Sequence, residues 1–155
     1  MNEKSIFLTA LFCSLLLCGG CTVVNKNPKV PVAPEQQQVQ LAESQKIGER
    51  LLQALQKRSY ADFKQAAGMS PFAKQMTEQD FATSCENIKK QFGEIKKYQF
   101  LTELTTPQVT NLVWRVTFER PSANAGGKPI TQDLMFRVVT SRLDNKTVVM
   151  GAGFL

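Results

Sequence analysis

From Leu41 onward the apolar residues recur at steps of three and four, and after Gly93 at steps of two, so the chain divides into a helical half and a strand half. Leu41, Ser44, Ile47, Gly48, Leu51, Ala54 and Leu55 share one face of a first helix ending near Lys57-Arg58. Ser59 is placed to cap a second, shorter helix, with Asp62 as its capping-box partner, Tyr60, Phe63 and Ala67 as its apolar side, and Gly68 as its stop. Ser70-Pro71 starts a further short turn. Thr77-Glu78-Gln79-Asp80 is a second capping box and opens a third helix, whose face is Phe81, Cys85, Ile88 and Phe92 and whose end is marked by Gly93. Lys89 and Lys90 fall in its last turn, where cations offset the helix macrodipole.

Period-two alternation predicts four strands: Tyr98, Phe100 and Leu104 in the first, Thr110 to Phe118 through Leu112, Trp114 and Val116 in the second, Gln132, Leu134, Phe136 and Val138 in the third, and Val148, Met150, Ala152 and Phe154 in the fourth. Thr106-Pro107, the Pro121–Pro129 stretch with Gly126-Gly127, and Leu143-Asp144-Asn145-Lys146 supply the turns. Connections this short favour antiparallel neighbours, so the expected fold is α+β, three N-terminal helices on a four-stranded antiparallel meander. No internal repeat interrupts 41–155, which is expected to form one domain around one core.

The first forty residues carry a different pattern. Lys4 precedes an apolar core from Ile6 to Leu17, and Gly19 and Gly20 follow, the layout of a secretory signal peptide too short to span a bilayer. Leu15-Leu16-Leu17-Cys18-Gly19-Gly20-Cys21 resembles the lipobox of bacterial lipoproteins, although Cys18 stands where such motifs usually carry leucine. The resemblance implies cleavage between Gly20 and Cys21, acylation of Cys21, loss of residues 1–20 and a protein held on the envelope membrane. Two or more acyl chains, at roughly 0.8 kcal/mol per buried CH₂, anchor firmly where one does not. Thr22 rather than aspartate after the cysteine implies the outer membrane of a diderm bacterium, facing the periplasm. Ordinary signal cleavage at the same place would leave Cys21 a free thiol. Residues 21–40, with Pro28, Pro31, Pro34 and the Glu35-Gln36-Gln37-Gln38 run, have little to bury and are expected to be a tether reaching at most about 60 Å.

Cysteine and histidine counts narrow the chemistry. Cys13 and Cys18 would leave with the signal and Cys21 would be acylated, so Cys85 remains alone and the domain stands on its core without disulfides. The chain has 0 histidines, which removes the commonest metal ligand and general base; no metal, cofactor or Ser-His or Cys-His catalysis is expected. The net charge of +6 favours anionic lipid or acidic partners. No basic run is dense enough to indicate a nucleic-acid patch.

Three helices followed by a meander closed by Val148-Val149-Met150-Gly151-Ala152-Gly153-Phe154 resemble the nuclear-transport-factor-like, or cystatin-like, fold over 41–155, in particular small envelope lipoproteins that carry it. The resemblance implies a curved sheet wrapped on the first helix and an apolar pocket between them. Tyr98, Phe100, Trp114, Phe118 and Phe136 would line it, with Cys85 opposite. Plain core packing is the ordinary reading of the same aromatics, since large aromatics dominate cores. The other sheet face, with Val113, Arg115, Thr117, Met135, Arg137, Val139, Thr147 and Val149, is half apolar and suits either solvent or an interface with a second copy or an envelope protein. Isomerases of this fold use an aspartate base with a buried tyrosine and a protonated acid. The chain holds two tyrosines, Tyr60 and Tyr98, but Asp62, Asp80 and Asp144 have cap or turn roles and Asp133 lies on the strand face opposite to Leu134 and Phe136. The expected function is therefore non-catalytic binding of a protein partner or an apolar small ligand, with an isomerase-like enzyme or an assembly component as the alternatives.

Overall fold

The computed structural model describes residues 34–122 and 127–155; the signal segment, Cys21 and the tether as far as residue 33 lie outside them. Helix α1 runs Pro34–Lys57, so the last part of the expected tether is helical. Proline is tolerated in a first turn, and the glutamates and glutamines that follow are good helix formers. Ser44, Gly48, Leu51, Leu52 and Ala54 are its buried face. It stops in a Schellman motif: the Ser59 N–H donates to Ala54 O (3.0 Å) and the Arg58 N–H to Leu55 O (3.2 Å), with Arg58 itself at φ +54°.

Helix α2 is Tyr60–Ala67, α3 is Pro71–Gln75 and α4 is Glu78–Phe92, so the short turn expected at Ser70-Pro71 is a five-residue helix of its own. The Thr77–Asp80 capping box is complete. At α2 only half of the expected box forms: Ser59 Oγ accepts from the Asp62 N–H, but the Ser59 N–H is already bonded to α1, and the Asp62 carboxylate pairs with Lys57 instead. Phe81 and Cys85 of α4 are buried, while Ile88 and Phe92 are half-buried.

Four strands form one antiparallel sheet in chain order, β1 Glu94–Thr105, β2 Val109–Arg120, β3 Ile130–Leu143 and β4 Lys146–Phe154. The α+β class and the meander are as the alternation predicts. Parity is right throughout β2 and β3: Leu112, Trp114, Val116, Phe118, Phe136 and Val138 all face the helices and are buried. It fails beyond bulges in the two edge strands. A bulge at Leu101 carries Leu104 to the outer face, 64 % exposed, and brings Glu103 opposite Leu112. A second, at Met150, turns Met150 outward and places Val149 opposite Thr140 on the helix side. One extra residue on one strand reverses the facing of everything beyond it.

Gly48 of α1 lies directly against the indole of Trp114 on the sheet. A methyl group at Gly48 would fall on Cη2 of Trp114 and lie 2.6 Å from Cζ2. Phe100 meets the same indole edge-on at 5.3 Å and Phe136 at 6.5 Å. Ser44, one turn before Gly48, accepts a 3.4 Å hydrogen bond from Thr140, and Glu43 accepts from Thr147 at 2.8 Å, so the same helix face is registered on β3 and β4.

Gly48→Ala is expected to cost about 2 kcal/mol in urea unfolding, because overpacking of 1–3 kcal/mol or more outweighs the gain in helix propensity. In Gly48→Ala/Trp114→Phe the added penalty should shrink, since phenylalanine lacks the outer ring. Equal penalties in the two backgrounds would deny this contact its role.

Candidate functional site

The aromatic residues separate into two groups. Trp114, Phe100, Phe118, Phe136, Phe154 and Phe92 form a continuous series over the sheet, with Phe136–Phe154 at 5.0 Å, Phe118–Phe154 at 5.4 Å and Phe92–Phe118 at 5.7 Å. Tyr60, Phe63, Phe72 and Phe81 form a second group among α2, α3 and α4, centred on Phe63–Phe81 at 5.0 Å. Phe63 is pinned by the short α2 against α1, and Tyr60 donates from its hydroxyl to Met76 O at 2.8 Å, which ties α2 to the residue after α3.

Between the two groups is a partly enclosed cavity of about 250 Å³. Phe63, Phe72 and Phe81 bound it on the helical side, Phe136, Ala152 and Phe154 on the sheet side, and Leu51 and Leu55 of α1 along its length. No lining residue is ionisable, and Ser84 carries the one side-chain hydroxyl. A void of about 150 Å³ lined by apolar side chains holds benzene, and ligand pockets begin near about 300 Å³. The space suits a small ring system or a short hydrocarbon chain.

This is not where the pattern of alternation placed a pocket. Of the expected lining residues only Phe136 reaches the cavity. Trp114 and Phe118 are 0 % exposed and packed solid, and Tyr98 and Phe100 are half-buried parts of the same layer. The Trp114 Nε1–H is buried and has no hydrogen-bond acceptor among the described residues. Phe63, Phe81 and Ile88 were visible as apolar helix positions, but periodicity shows only that a residue faces inward, not that the facing layer stops short of it. Phe72 of α3 and Met76 after it also line the cavity, and no local pattern sets them apart from ordinary core.

The outer sheet face is more polar than expected at its centre. Arg115 donates from Nη2 to Gln99 at 2.5 Å and lies 3.9 Å from Asp133, and Thr117 donates to Asp133 at 2.6 Å, a lattice across three strands. Val113 and Val139 are half-buried beside it, while Arg137 and Met135 are exposed. Two of the residues assigned to this face belong to the other. Val149 is 1 % exposed in the core, and Thr147 bonds to α1, both because of the bulge at Met150. Leu101, Leu104 and Met150 replace them as exposed apolar positions.

Cys85 sits in the core beneath a charged clamp. Arg58, aimed by its left-handed backbone, donates from Nη2 to both carboxylate oxygens of Glu94 (2.6 and 2.7 Å), Lys89 lies 3.0 Å from the same carboxylate, and Glu86 is 3.8 Å from Arg58. This joins the end of α1 to the end of α4 and the start of β1. The Arg58 hydrogen bonds, then that of Lys89, hold the Glu94 carboxyl below its usual range. Burial pushes the Cys85 thiol up, against the pull of Arg58. A protonated, buried thiol is a poor nucleophile. The remaining acids serve locally: Asp80 caps α4, Asp133 holds Thr117, and Asp144 takes a left-handed turn position at φ +49°. Among the described residues no group of histidine, cysteine and acidic side chains is arranged to hold a metal ion.

Because the folded Glu94 carboxyl titrates below its unfolded value of about 4.3, the clamp's contribution is complete above that pH and is lost as pH falls through the folded value. Glu94→Gln should lower the urea midpoint at neutral pH and converge on the parent in acid; a constant difference down to low pH would contradict this. Cys85 should stay unmodified by iodoacetamide at neutral pH in the folded chain and react on unfolding, as read from the mass of its peptide. No protein-family model matches this chain, and no curated protein sequence matches it.

Proposed function

We propose that this chain is a lipid-anchored protein of the bacterial cell envelope whose α+β domain binds an apolar small molecule without transforming it. The cavity of about 250 Å³ between the two aromatic groups carries the binding half of this reading: it is lined by phenylalanines, leucines and other apolar groups, with Ser84 the sole side-chain hydroxyl. A close-packed interior leaves few voids larger than a water, so an opening of this size in so small a domain favours an occupant. The absence of any ionisable lining residue suits retention rather than proton transfer. The envelope half rests on the Cys21 motif and its resemblance to lipoboxes.

The outer sheet face supports a second reading, docking of an envelope protein or a second copy, through Leu101, Leu104, Met135 and Met150, which are 46–64 % exposed. Its centre is occupied by the Gln99–Arg115–Asp133–Thr117 lattice, which an apolar partner would have to leave intact or break. The cavity is therefore preferred.

Thermal unfolding of the intact chain with decane, decanol and cyclohexane tests the cavity. A ligand that binds only the native state adds about 2.7 kcal/mol at a hundredfold excess over Kd, a rise of several degrees in Tm. Ala152→Phe, which fills the space from the sheet side, should keep the fold and lose the rise. No shift with any probe, or an undiminished shift in Ala152→Phe, would sink the binding reading. The anchor is tested separately: Cys21→Ser should abolish metabolic labelling with palmitate and stall or redirect the protein, and labelling that persists in this variant would remove the lipoprotein reading.

A further inference from the structure

Between Pro34 and Leu155 the chain has sixteen basic and twelve acidic side chains, and seven of the basic ones lie at one end of the sheet. There Arg58, Lys89 and Lys96 are engaged by Glu86, Glu94 and Glu119 through contacts of 2.6–3.8 Å. Lys90, Lys97, Arg120 and Lys128 stand at the same end, all exposed and with no carboxylate partner among the described residues. Their adjacency follows from the backbone. A methyl on Gly93 would meet the Glu119 carbonyl and approach Arg120 Cβ to 2.9 Å, so the last turn of α4, with Lys90, stands beside the end of β2. Lys97 lies opposite Thr117, three residues from Arg120, and Ile130, two residues after Lys128, pairs with Arg120. These four cations equal the whole charge excess of the domain; the other nine basic and nine acidic side chains balance.

The shape of this pole selects the kind of anion. The concavity beside Arg58 holds about 10 Å³, the room of a single water, too small a cup for a phosphate-sized anion. Three of the four unpaired cations are lysines, point charges on flexible stems without a fixed fork. Ile130, 42 % exposed, stands among them as an apolar contact. This combination fits an extended anionic plane that many mobile cations can approach at once, and each cation near such a surface contributes independently within a Debye length. The pole lies at the opposite end of α1 from the end by which the chain enters that helix, since Arg58 directly follows Lys57 and α1 begins at Pro34.

From this geometry we propose that the pole docks the domain on the anionic phospholipid headgroups of a bilayer. The inference is independent of the cavity. It is tested with the intact chain reconstituted in phosphatidylcholine vesicles, with or without phosphatidylglycerol, carrying a trace of dansyl-headgroup lipid. Energy transfer from Trp114, the one tryptophan, reports how near the domain lies to the membrane. Transfer should be higher on the anionic vesicles and fall to the neutral level in about 1 M NaCl, where the Debye length is about 3 Å. Lys90→Gln, Lys97→Gln and Lys128→Gln should each lower the docking equilibrium about fivefold, and the triple variant about a hundredfold. Lys46→Gln/Lys74→Gln/Lys146→Gln, the same charge change at exposed sites elsewhere, should leave docking within about twofold of the parent, with unchanged circular dichroism in both sets. Equal transfer on neutral and anionic vesicles, or equal loss in the two triple variants, would overturn the proposal. Binding of soluble polyphosphate with no vesicle-dependent transfer would overturn it in favour of a soluble polyanion.

Discussion

Gly48 lets α1 approach the sheet closely enough for the six-membered ring of Trp114 to rest on the helix backbone. Any side chain there would lift the helix off the indole, and with it the contacts that Ser44 and Glu43 make to Thr140 and Thr147 about one turn earlier. The indole then becomes the fixed centre around which Phe100 and Phe136 pack from the neighbouring strands. Buried area supplies the driving force at roughly 25 cal/mol per Å², but it does not choose a register. The choice comes from one small residue facing one large one. The indole N–H has no acceptor among the described residues, which at a buried site costs about 1–3 kcal/mol, and the packing of the ring in this position offsets it.

The cavity follows from the same arrangement. α1 is held by Trp114 at one level of the sheet, while the rings of Tyr60, Phe63, Phe72 and Phe81 join α2, α3 and α4. Each aromatic group is satisfied internally. The ring pairs Phe63–Phe81 and Phe136–Phe154, each 5.0 Å apart, lie on the two sides of the cavity. Small residues at Ala152 and Gly153 keep the sheet side of the space open. The void is thus a consequence of two well-packed clusters rather than of a loosely packed one, which is how a site can stay open without softening the domain around it.

Charge is distributed on a similar principle of local closure. At the start of β1 the Glu94 carboxylate collects Arg58 and Lys89, and Lys96 is matched by Glu119, so the junction of α1, α4 and the sheet is knitted by short contacts. Arg58 accepts a left-handed backbone that costs a non-glycine residue about 1 kcal/mol, and that conformation is what points its guanidinium at Glu94. Beyond this knot Lys90, Lys97, Arg120 and Lys128 are exposed and have no carboxylate partner among the described residues.

Much of this was legible in the chain. The two periods separated helices from strands because a helix turns about 100° per residue and a strand about 180°; the Thr77–Asp80 box, Gly93 and Ser70-Pro71 marked ends and starts through local hydrogen bonding that needs no distant contact. Parity placed Trp114, Phe118 and Phe136 inward without error because β2 and β3 pair without a bulge. Leu104, Val149 and Met150 could not be placed this way, since whether an edge strand gains an unpaired residue is decided by what its neighbours bury. Gly48 was visible on the inner face of α1, but not the indole that requires it, sixty-six residues away. The cavity belonged wholly to the tertiary structure: each of its walls reads locally as ordinary apolar core, and only the three-dimensional spacing of two self-contained aromatic clusters leaves room between them.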